Sequence, residues 1–429
     1  MKYQALKGMM DVLPDQVWKW QFVESISRNI FNRFNFQEIR TPILESLQLF
    51  QRSIGEETDI VQKEMFAFKD RGDRDVVMRP EVTASVVRAY VEHQLKEGKL
   101  YYIGASFRAE RPQAGRFRQF HQIGAEHIGG KNPEDDVLLL KVLTALMKGL
   151  GIQRYQLKIN SVGCQTTCRP EYRKVLKNYL TENHAQLCEN CQRRIETNII
   201  RIFDCKEEGC QKAIQGAPRI LDHLCAPCKE HFTKVKALLD AEKDIPYQIE
   251  PRIVRGLDYY NRTVFEITHD ALGAQNAIGG GGRYDTLVGE LGGSKDAGAC
   301  GFACGFERVL MALESEEGFE TEEVAQKLRN GLIYPCVLGG SAELKSAAQK
   351  IQNKLRDADF RVEELGAEDK PLKKHLEIAN RLHALFVLIL GEDEFREGTI
   401  AVKDMNSGTQ EKVKLNDIES YLKGRLVSR

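Results

Sequence analysis

The segment FRAERPQAGRFRQFHQIGAE, from Phe107 to Glu126, gathers Arg108, Glu110, Arg111, Arg116 and Arg118 around a Pro-Gln-Ala-Gly turn. Arginines on a hairpin present planar forks that match phosphate oxygens, and an acidic residue among them can orient a fork or accept from an adenine amine. A nucleoside triphosphate fits such a set; a solvated charged hairpin is the plainer alternative. Upstream, RPEVTA at 79–84 supplies a carboxylate and a hydroxyl, Glu81 and Thr83. Taken alone, Glu81 reads more readily as a charge opening a helix, favourable beside the macrodipole, than as a ligand contact. Downstream, VRGLDYYNRTVFEI at 254–267 packs Arg255, Asp258, Tyr259 and Tyr260 ahead of a strand pattern. Paired tyrosines usually mean packing, but they can also wall a small aromatic or imidazole group and offer hydroxyls to its ring nitrogens. In GFACGFERVLMAL, Gly301 and Gly305 allow close backbone approach, and Glu307-Arg308 open a helix. An arginine there can reach a phosphate or be a surface charge.

A second chemistry lies in the cysteines. Six of the eleven fall between Cys188 and Cys228: CENC at Cys188-Cys191, CAPC at Cys225-Cys228, and Cys205 and Cys210 between them. Four thiolates at such spacing suit a tetrahedral structural zinc that would staple a segment too small for a generous core. A reduced, partly buried set without metal is the other reading.

The elements that must position these residues follow from periodicity. Phe22, Ile26, Ile30 and Phe34 recur every four residues, with Val23 and Phe31 beside them, an apolar helix face after Pro14-Asp15. FQEIRTP then reads as a strand stopped at Pro42. Short apolar runs over 64–79 and 100–129 resemble antiparallel strands with turns. A helical pattern at Pro133–Leu150 leads into the strand YQLKIN, and the cysteine-rich stretch from about 164 to 240 breaks the rhythm as a mainly helical insertion. Strand patterns resume at IPYQIEP, TVFEITHD and AIGGGGRYD, and GACGFACGFERVLMAL passes from strand to helix.

At 429 residues the chain should hold two or three domains. The acidic run ESEEGFETEE at 314–323 is a linker candidate, so one domain is expected over 1–325, interrupted by the insertion, and another over 326–429. The latter, with GLIYPCVLGG, a helix at Ala342–Asp357, FRVEEL, a helix near Leu372–Leu382 and HALFVLIL, reads as β-α-β-α-β with a mostly parallel sheet. Lys+Arg and Asp+Glu both number 62, so net charge by itself points to no nucleic acid. The N-terminus has no apolar leader and no run approaches the ~18 residues of a membrane span, which reads as a cytoplasmic, soluble chain.

Together, in this order and spacing, the four segments resemble class II aminoacyl-tRNA synthetases, and specifically the histidyl-tRNA synthetase family. FQEIRTP is similar to the family's first motif at the dimer interface, FRAERPQAGRFRQFHQ to its second and GFACGFERVL to its third, while RGLDYY resembles its histidine-specific signature. Val82 stands where the family more often has glycine or methionine, and Ala105-Ser106 replace a more usual Pro-Met; neither is expected to touch a reacting group.

The resemblance implies an α+β catalytic domain built on the class II antiparallel sheet, a helical insertion and a C-terminal α/β domain that binds the anticodon. It implies activation of L-histidine with ATP, carried with Mg2+, to histidyl-adenylate, then transfer to the 3' end of the histidine tRNA by a homodimer. By motif, Arg108 and Arg255 would contact the α-phosphate, Glu110 and Arg116 the adenine and distal phosphates, and Arg308 the γ-phosphate. Glu81, Thr83, Gln122 and Glu126 would hold the histidine ammonium and its neighbours, Tyr259 and Tyr260 would form the imidazole pocket, and the ribose would lie over Gly279-Gly282. The alternative is a non-catalytic paralogue regulating ATP phosphoribosyltransferase; such proteins typically lose the C-terminal domain and degrade RGLDYY and the phosphate arginines. An RNA-binding protein without ligase activity would leave the Arg/Glu/Tyr constellation unexplained.

Overall fold

A computed structural model describes residues 3–55, 58, 60–96, 98–113, 115–205, 207–253, 257–273, 276–317, 319, 331–365 and 370–427. The chain divides into two compact units, Met1–Glu316 and Glu317–Arg429. The boundary expected near 325 falls outside the described residues, as does Arg255.

Among its described residues the first unit has eleven strands: β1 (Gln37–Glu38), β2 (Leu44–Ser46), β3 (Phe66–Lys69), β4 (Asp75–Met78), β5 (Lys99–Phe107), β6 (Gln119–Ile128), β7 (Tyr155–Ser161), β8 (Tyr247–Ile249), β9 (Asn261–His269), β10 (Ala277–Arg283) and β11 (Ala299–Gly305). Eight form one sheet in the order β1-β5-β6-β11-β10-β9-β7-β8, with β2-β4-β3 a small separate sheet. Only the outermost pairs, β1 with β5 and β7 with β8, run parallel. The six central strands are antiparallel, which lets one face stay open to a ligand while the other is covered.

The covered face is dictated by alternation. Phe302 and Tyr101 point to one side of β11 and β5, and Phe31 of the helix Val17–Arg33 stacks on Tyr101 with ring centroids 4.6 Å apart and lies 6.4 Å from Phe302. The buried line of that helix runs through Val23, Ser27, Ile30 and Phe31, one position round from the face marked by Phe22 and Ile26. The helix Pro133–Leu150 starts with proline, carries Glu134, Asp135 and Asp136 in its first turn and ends at Gly151 in the left-handed region, signals that agree with its sequence pattern.

The insertion is helical as expected: Cys168–Glu182, Glu189–Glu196, Glu208–Gln215 and Ala226–Ala241, joined by short 3-10 turns. Among the described residues, no helix is long and apolar enough to cross a membrane.

The second unit corrects two details. Its sheet, β12 (Ile333–Leu338), β13 (Phe386–Gly391), β14 (Thr399–Asp404) and β15 (Gln410–Lys414), is mixed: β12 and β13 are parallel, but β14 and β15 add on antiparallel. FRVEEL makes only an isolated bridge, Ile333 to Val362, in place of a strand. Val362 is buried, with Phe360 and Leu365 partly buried against the same core, while Arg361 and Glu364 are exposed.

Candidate functional site

The open face of the sheet is floored with glycine. Registers place Gly301 opposite Glu126, Gly305 opposite Gln122, and Gly282 opposite Gly301. By period-two alternation Phe120, Gln122 and Glu126 share one face of β6, so side chains rise from β6 beside a bare strip on β11 and β10. The bareness is obligatory at Gly301, where a Cβ would lie 1.6 Å from Glu126 Oε2.

At one end of this face is a buried acidic pair. Glu81 does what its position at a helix start suggests: its carboxylate accepts from the backbone N–H of Thr83 at 2.7 Å and of Ala84 at 2.9 Å, capping the helix Thr83–Glu92. The Thr83 hydroxyl then donates to Glu126 Oε1 at 2.7 Å, while Tyr284 OH donates to Glu126 Oε2 at 2.5 Å. Burial raises Glu126, the two hydroxyls pull it partly back, Glu81's charge pushes it up again, and the carboxyl ends at about 8. Burial likewise raises Glu81, against its two backbone hydrogen bonds and the charge of Arg108.

Tyr259 and Tyr260 close this end as a buried wall, their centroids 4.7 Å apart, with Tyr284 set edge-on 5.5 Å from Tyr259. Tyr284 was not among the residues singled out from sequence; its signal there is its place two residues after the glycine run in GGGGRY. Asp258, ahead of the tyrosines, is tied by its backbone N–H to Ile54 O at 3.2 Å.

Gln122 stands between the acidic pair and the arginine hairpin. Its Oε1 accepts from Ser106 Oγ at 2.8 Å, so the Ala105-Ser106 departure does bear on a residue expected to hold substrate: β5 pairs with β6 and brings residue 106 alongside it.

At the other end, the Arg-rich hairpin closes through reciprocal backbone bonds between Gln113 and Arg116, with Gly115 in the left-handed region. Glu110 pairs with Arg116 at 3.1 Å. Arg108 donates from Nε to Pro80 O at 3.0 Å and lies over the Phe120 ring, 5.2 Å from its centroid, which fixes the plane of its fork. Arg308, on the helix Phe306–Glu314, donates to Gly115 O at 3.1 Å and Ala277 O at 2.7 Å, joining the hairpin tip to the start of β10. Next to it, Glu307 accepts the His121 backbone N–H and lies 3.0 Å from His121 Nδ1, locking the helix start to β6. Arg111 is exposed. Thus Glu81, Thr83, Glu126, Tyr259 and Tyr260 converge at one end and Glu110, Arg116 and Arg308 at the other, with Gln122 between and Arg108 reaching back from the hairpin to Pro80, beside Glu81.

A buried polar network below the site escaped sequence reading. Arg283, at the end of β10, donates to Asp136 at 2.6 Å and to Gly130 O at 2.7 Å, and Asp136 also accepts from Thr263 Oγ1 at 2.7 Å and lies 2.6 Å from His231 Nε2. Burial pushes the Asp136 carboxyl up, but the Arg283 guanidinium and the bonds from His231 and Thr263 outweigh it and hold the group below its ordinary value.

The cysteines form two groups where the sequence suggested one. CENC and CAPC do not share a centre: Cys225 and Cys228 meet Cys164 and Cys168, while Cys188 and Cys191 meet Cys205 and Cys210. In the sequence Cys164 marked only the approximate edge of the insertion and Cys168 was not singled out; a Cys-x-x-x-Cys spacing is a weaker metal signal than Cys-x-x-Cys.

The chain resembles known proteins along nearly its whole length. Residues 8–309 match the family described as Histidyl-tRNA synthetase, and residues 320–425 match the family described as Anticodon binding domain. The chain is 45% identical over 422 residues to a histidine–tRNA ligase of Thermodesulfovibrio yellowstonii, covering 97% of both chains. It is also 45% identical over 426 residues to one of Desulfitobacterium hafniense, covering 98% of both. Among solved structures it is similar to the apo histidyl-tRNA synthetase of S. aureus, with a TM-score of 0.77, 34% identity and 98% and 99% coverage of the two chains.

Proposed function

The chain belongs to the histidyl-tRNA synthetase family and joins histidine to tRNA, and from that premise we propose how its residues divide the work. The observation that carries the division is the buried Glu81–Thr83–Glu126 cluster walled by tyrosines, set across a glycine floor from the arginine hairpin. Two buried carboxylates call for a cation, and the ammonium of histidine supplies it; Gln122 and the hydroxyls of Tyr259 and Tyr260 offer the matched polar partners that reject analogues lacking an imidazole.

ATP with Mg2+ lies over the glycine floor. The histidine carboxylate attacks the α-phosphorus, the bond to the β-phosphate oxygen breaks, and pyrophosphate leaves. Arg108 and, by its motif, Arg255 stabilise charge on the α-phosphate; Arg116, oriented by Glu110, serves adenine and the distal phosphates. Arg308 exchanges a backbone carbonyl for the γ-phosphate. A terminal ribose hydroxyl of the histidine tRNA then attacks the adenylate carbonyl and AMP departs. Orientation and preorganised charge account for the rate, with no covalent enzyme intermediate.

The second unit, 326–429 in this reading, reads the anticodon, and the enzyme works as a cytoplasmic homodimer through FQEIRTP. Zinc, held by insertion thiolates, is structural and supplies no step of the ligation. A regulatory paralogue is not favoured: relatives matched over nearly the full chain are histidine–tRNA ligases, and the C-terminal domain is present. Histidine-dependent ATP–pyrophosphate exchange tests the proposal. Exchange with histidine alone among the amino acids, reduced about 10²–10³-fold in Arg108→Ala, is the expected result; folded wild-type protein without exchange would overturn it.

A further inference from the structure

Both cysteine groups have the dimensions of a single-ion tetrathiolate site. Four sulfurs at the ~2.3 Å zinc–sulfur bond length sit about 3.8 Å apart along the edges of a tetrahedron. Here Cys164 and Cys168 sulfurs are 3.6 Å apart, Cys164 and Cys225 3.9 Å, and Cys188 and Cys205 3.9 Å, with all four of each group within 4.8 Å of one another. These separations are far too long for disulfides and too short for the thiolates around a multi-iron cluster.

The two groups share a construction. In each Cys-x-x-Cys pair the first cysteine sits at a helix N-terminus, Cys188 before Glu189–Glu196 and Cys225 before Ala226–Ala241. Its backbone N–H points at a sulfur of the same group, Cys188 N to Cys210 Sγ and Cys225 N to Cys168 Sγ, both at 3.2 Å. Such donors stabilise thiolate charge around a cation.

They differ in what they touch. The group at 188–210 joins short segments within the insertion. The other ties the last helix of the insertion to the end of β7. Gly163, in the left-handed region, makes room there, since a Cβ on it would lie 2.3 Å from the Cys168 Cβ. Beside the ligands, Gln165 Nε2 donates to Asp258 O at 3.2 Å, and Arg169 donates to Asp258 O at 3.3 Å and also to Tyr260 O. The apolar cluster is continuous as well, with Leu176, Leu180 and Ile214 of the insertion packed in the same core as Tyr259, Tyr260 and Tyr284.

We propose that the insertion binds two zinc ions in separate four-cysteine sites, and that the Cys164/Cys168/Cys225/Cys228 site positions the loop bearing Tyr259 and Tyr260. The first half stands on the cysteines alone; the second rests on the histidine-pocket reading of those tyrosines.

Elemental analysis of the full chain, expressed with zinc and purified without chelator, should find two equivalents of zinc per chain. Cys188→Ser and Cys225→Ser should each lose one. Cobalt substitution should give tetrahedral tetrathiolate absorption for both sites. In pyrophosphate exchange, Cys225→Ser should raise the KM for histidine about tenfold, the loss of one or two orienting hydrogen bonds, with the KM for ATP unchanged. Cys188→Ser should leave both constants alone and lower only the melting temperature. Should Cys225→Ser not fold, Arg169→Met with Gln165→Leu keeps every ligand and removes all three hydrogen bonds to the loop; it should retain both zinc ions and show the same rise in histidine KM. Fewer than two zinc equivalents in the wild type, or both serine variants losing the same ion, overturns the two-site assignment. An unchanged histidine KM in that double variant overturns the positioning role. Zinc content is read without any assay of activity, so these outcomes are distinct from a failure of histidine-dependent exchange itself.

Discussion

Glu126 and Gln122 on β6 are placed by ladder pairing with strands on both sides, whereas the helices Glu189–Glu196 and Glu208–Gln215 are eight residues each, below the length at which a helix stands alone in water. The sheet can therefore bury carboxylates and hydroxyls with fixed geometry, because its backbone is already satisfied. The insertion must bring sulfur ligands together to fix its own backbone. The contrast teaches where each region should fail: the sheet through unpaired charge, the insertion through loss of its cross-links.

The two regions meet at Asp136, which accepts from Arg283 of the sheet and contacts His231 of the insertion's last helix. The largest effect is expected there. Arg283→Met leaves Asp136 buried without its guanidinium, and urea denaturation should show a loss of about 3–5 kcal/mol. Because the folded Asp136 carboxyl lies below its ordinary value, its contribution is complete above the unfolded value of about 3.9 and disappears as pH falls through the folded value. The variant's unfolding free energy should accordingly fall less steeply than the wild type's as pH drops through the acid range. A variant as stable as the wild type would mean that the junction is held by packing instead.

Next in size is the response of Glu126 to pH. In the free protein its carboxyl sits at about 8 and so is mostly protonated at neutral pH, while an ammonium ligand requires the carboxylate. Histidine affinity, after correction for the ligand's own ionisation, should rise about tenfold per unit as pH climbs toward 8 and level off above it. Glu126→Gln should bind histidine weakly and flatten that profile; a variant retaining the slope would remove Glu126 as its source. Smallest is Ser106→Ala, which deletes the hydroxyl donating to Gln122. A loss of about 1 kcal/mol, some fivefold in the KM for histidine with kcat kept, is expected from titration of exchange against histidine. No change would mean that Gln122 is oriented by the sheet alone.

Much of this was legible in the residues. Alternation located β7, short apolar runs between turns located β5 and β6, and strand-like patterns located β9 and the Gly-punctuated β11. In the second unit, β15 was passed over because QEKVK buries only Val413, β14 was missed although it buries Ile400, Ala401 and Val402, and FRVEEL was overread as a strand. Short edge segments carry too little apolar signal to be told from loops.

What the sequence determined by itself is local chemistry: which residues can carry phosphate, ammonium or metal, and which runs must be helix or strand, since propensity and periodicity act over a few neighbours. The tertiary structure alone decided partnership. That Tyr284 completes the Glu126 cluster, that Arg283 finds Asp136, and that CAPC joins Cys164 and Cys168 and not CENC are matters of contact across 147, 158 or about 60 residues. Such contacts are set by sheet register and the path of the insertion, which no local pattern encodes.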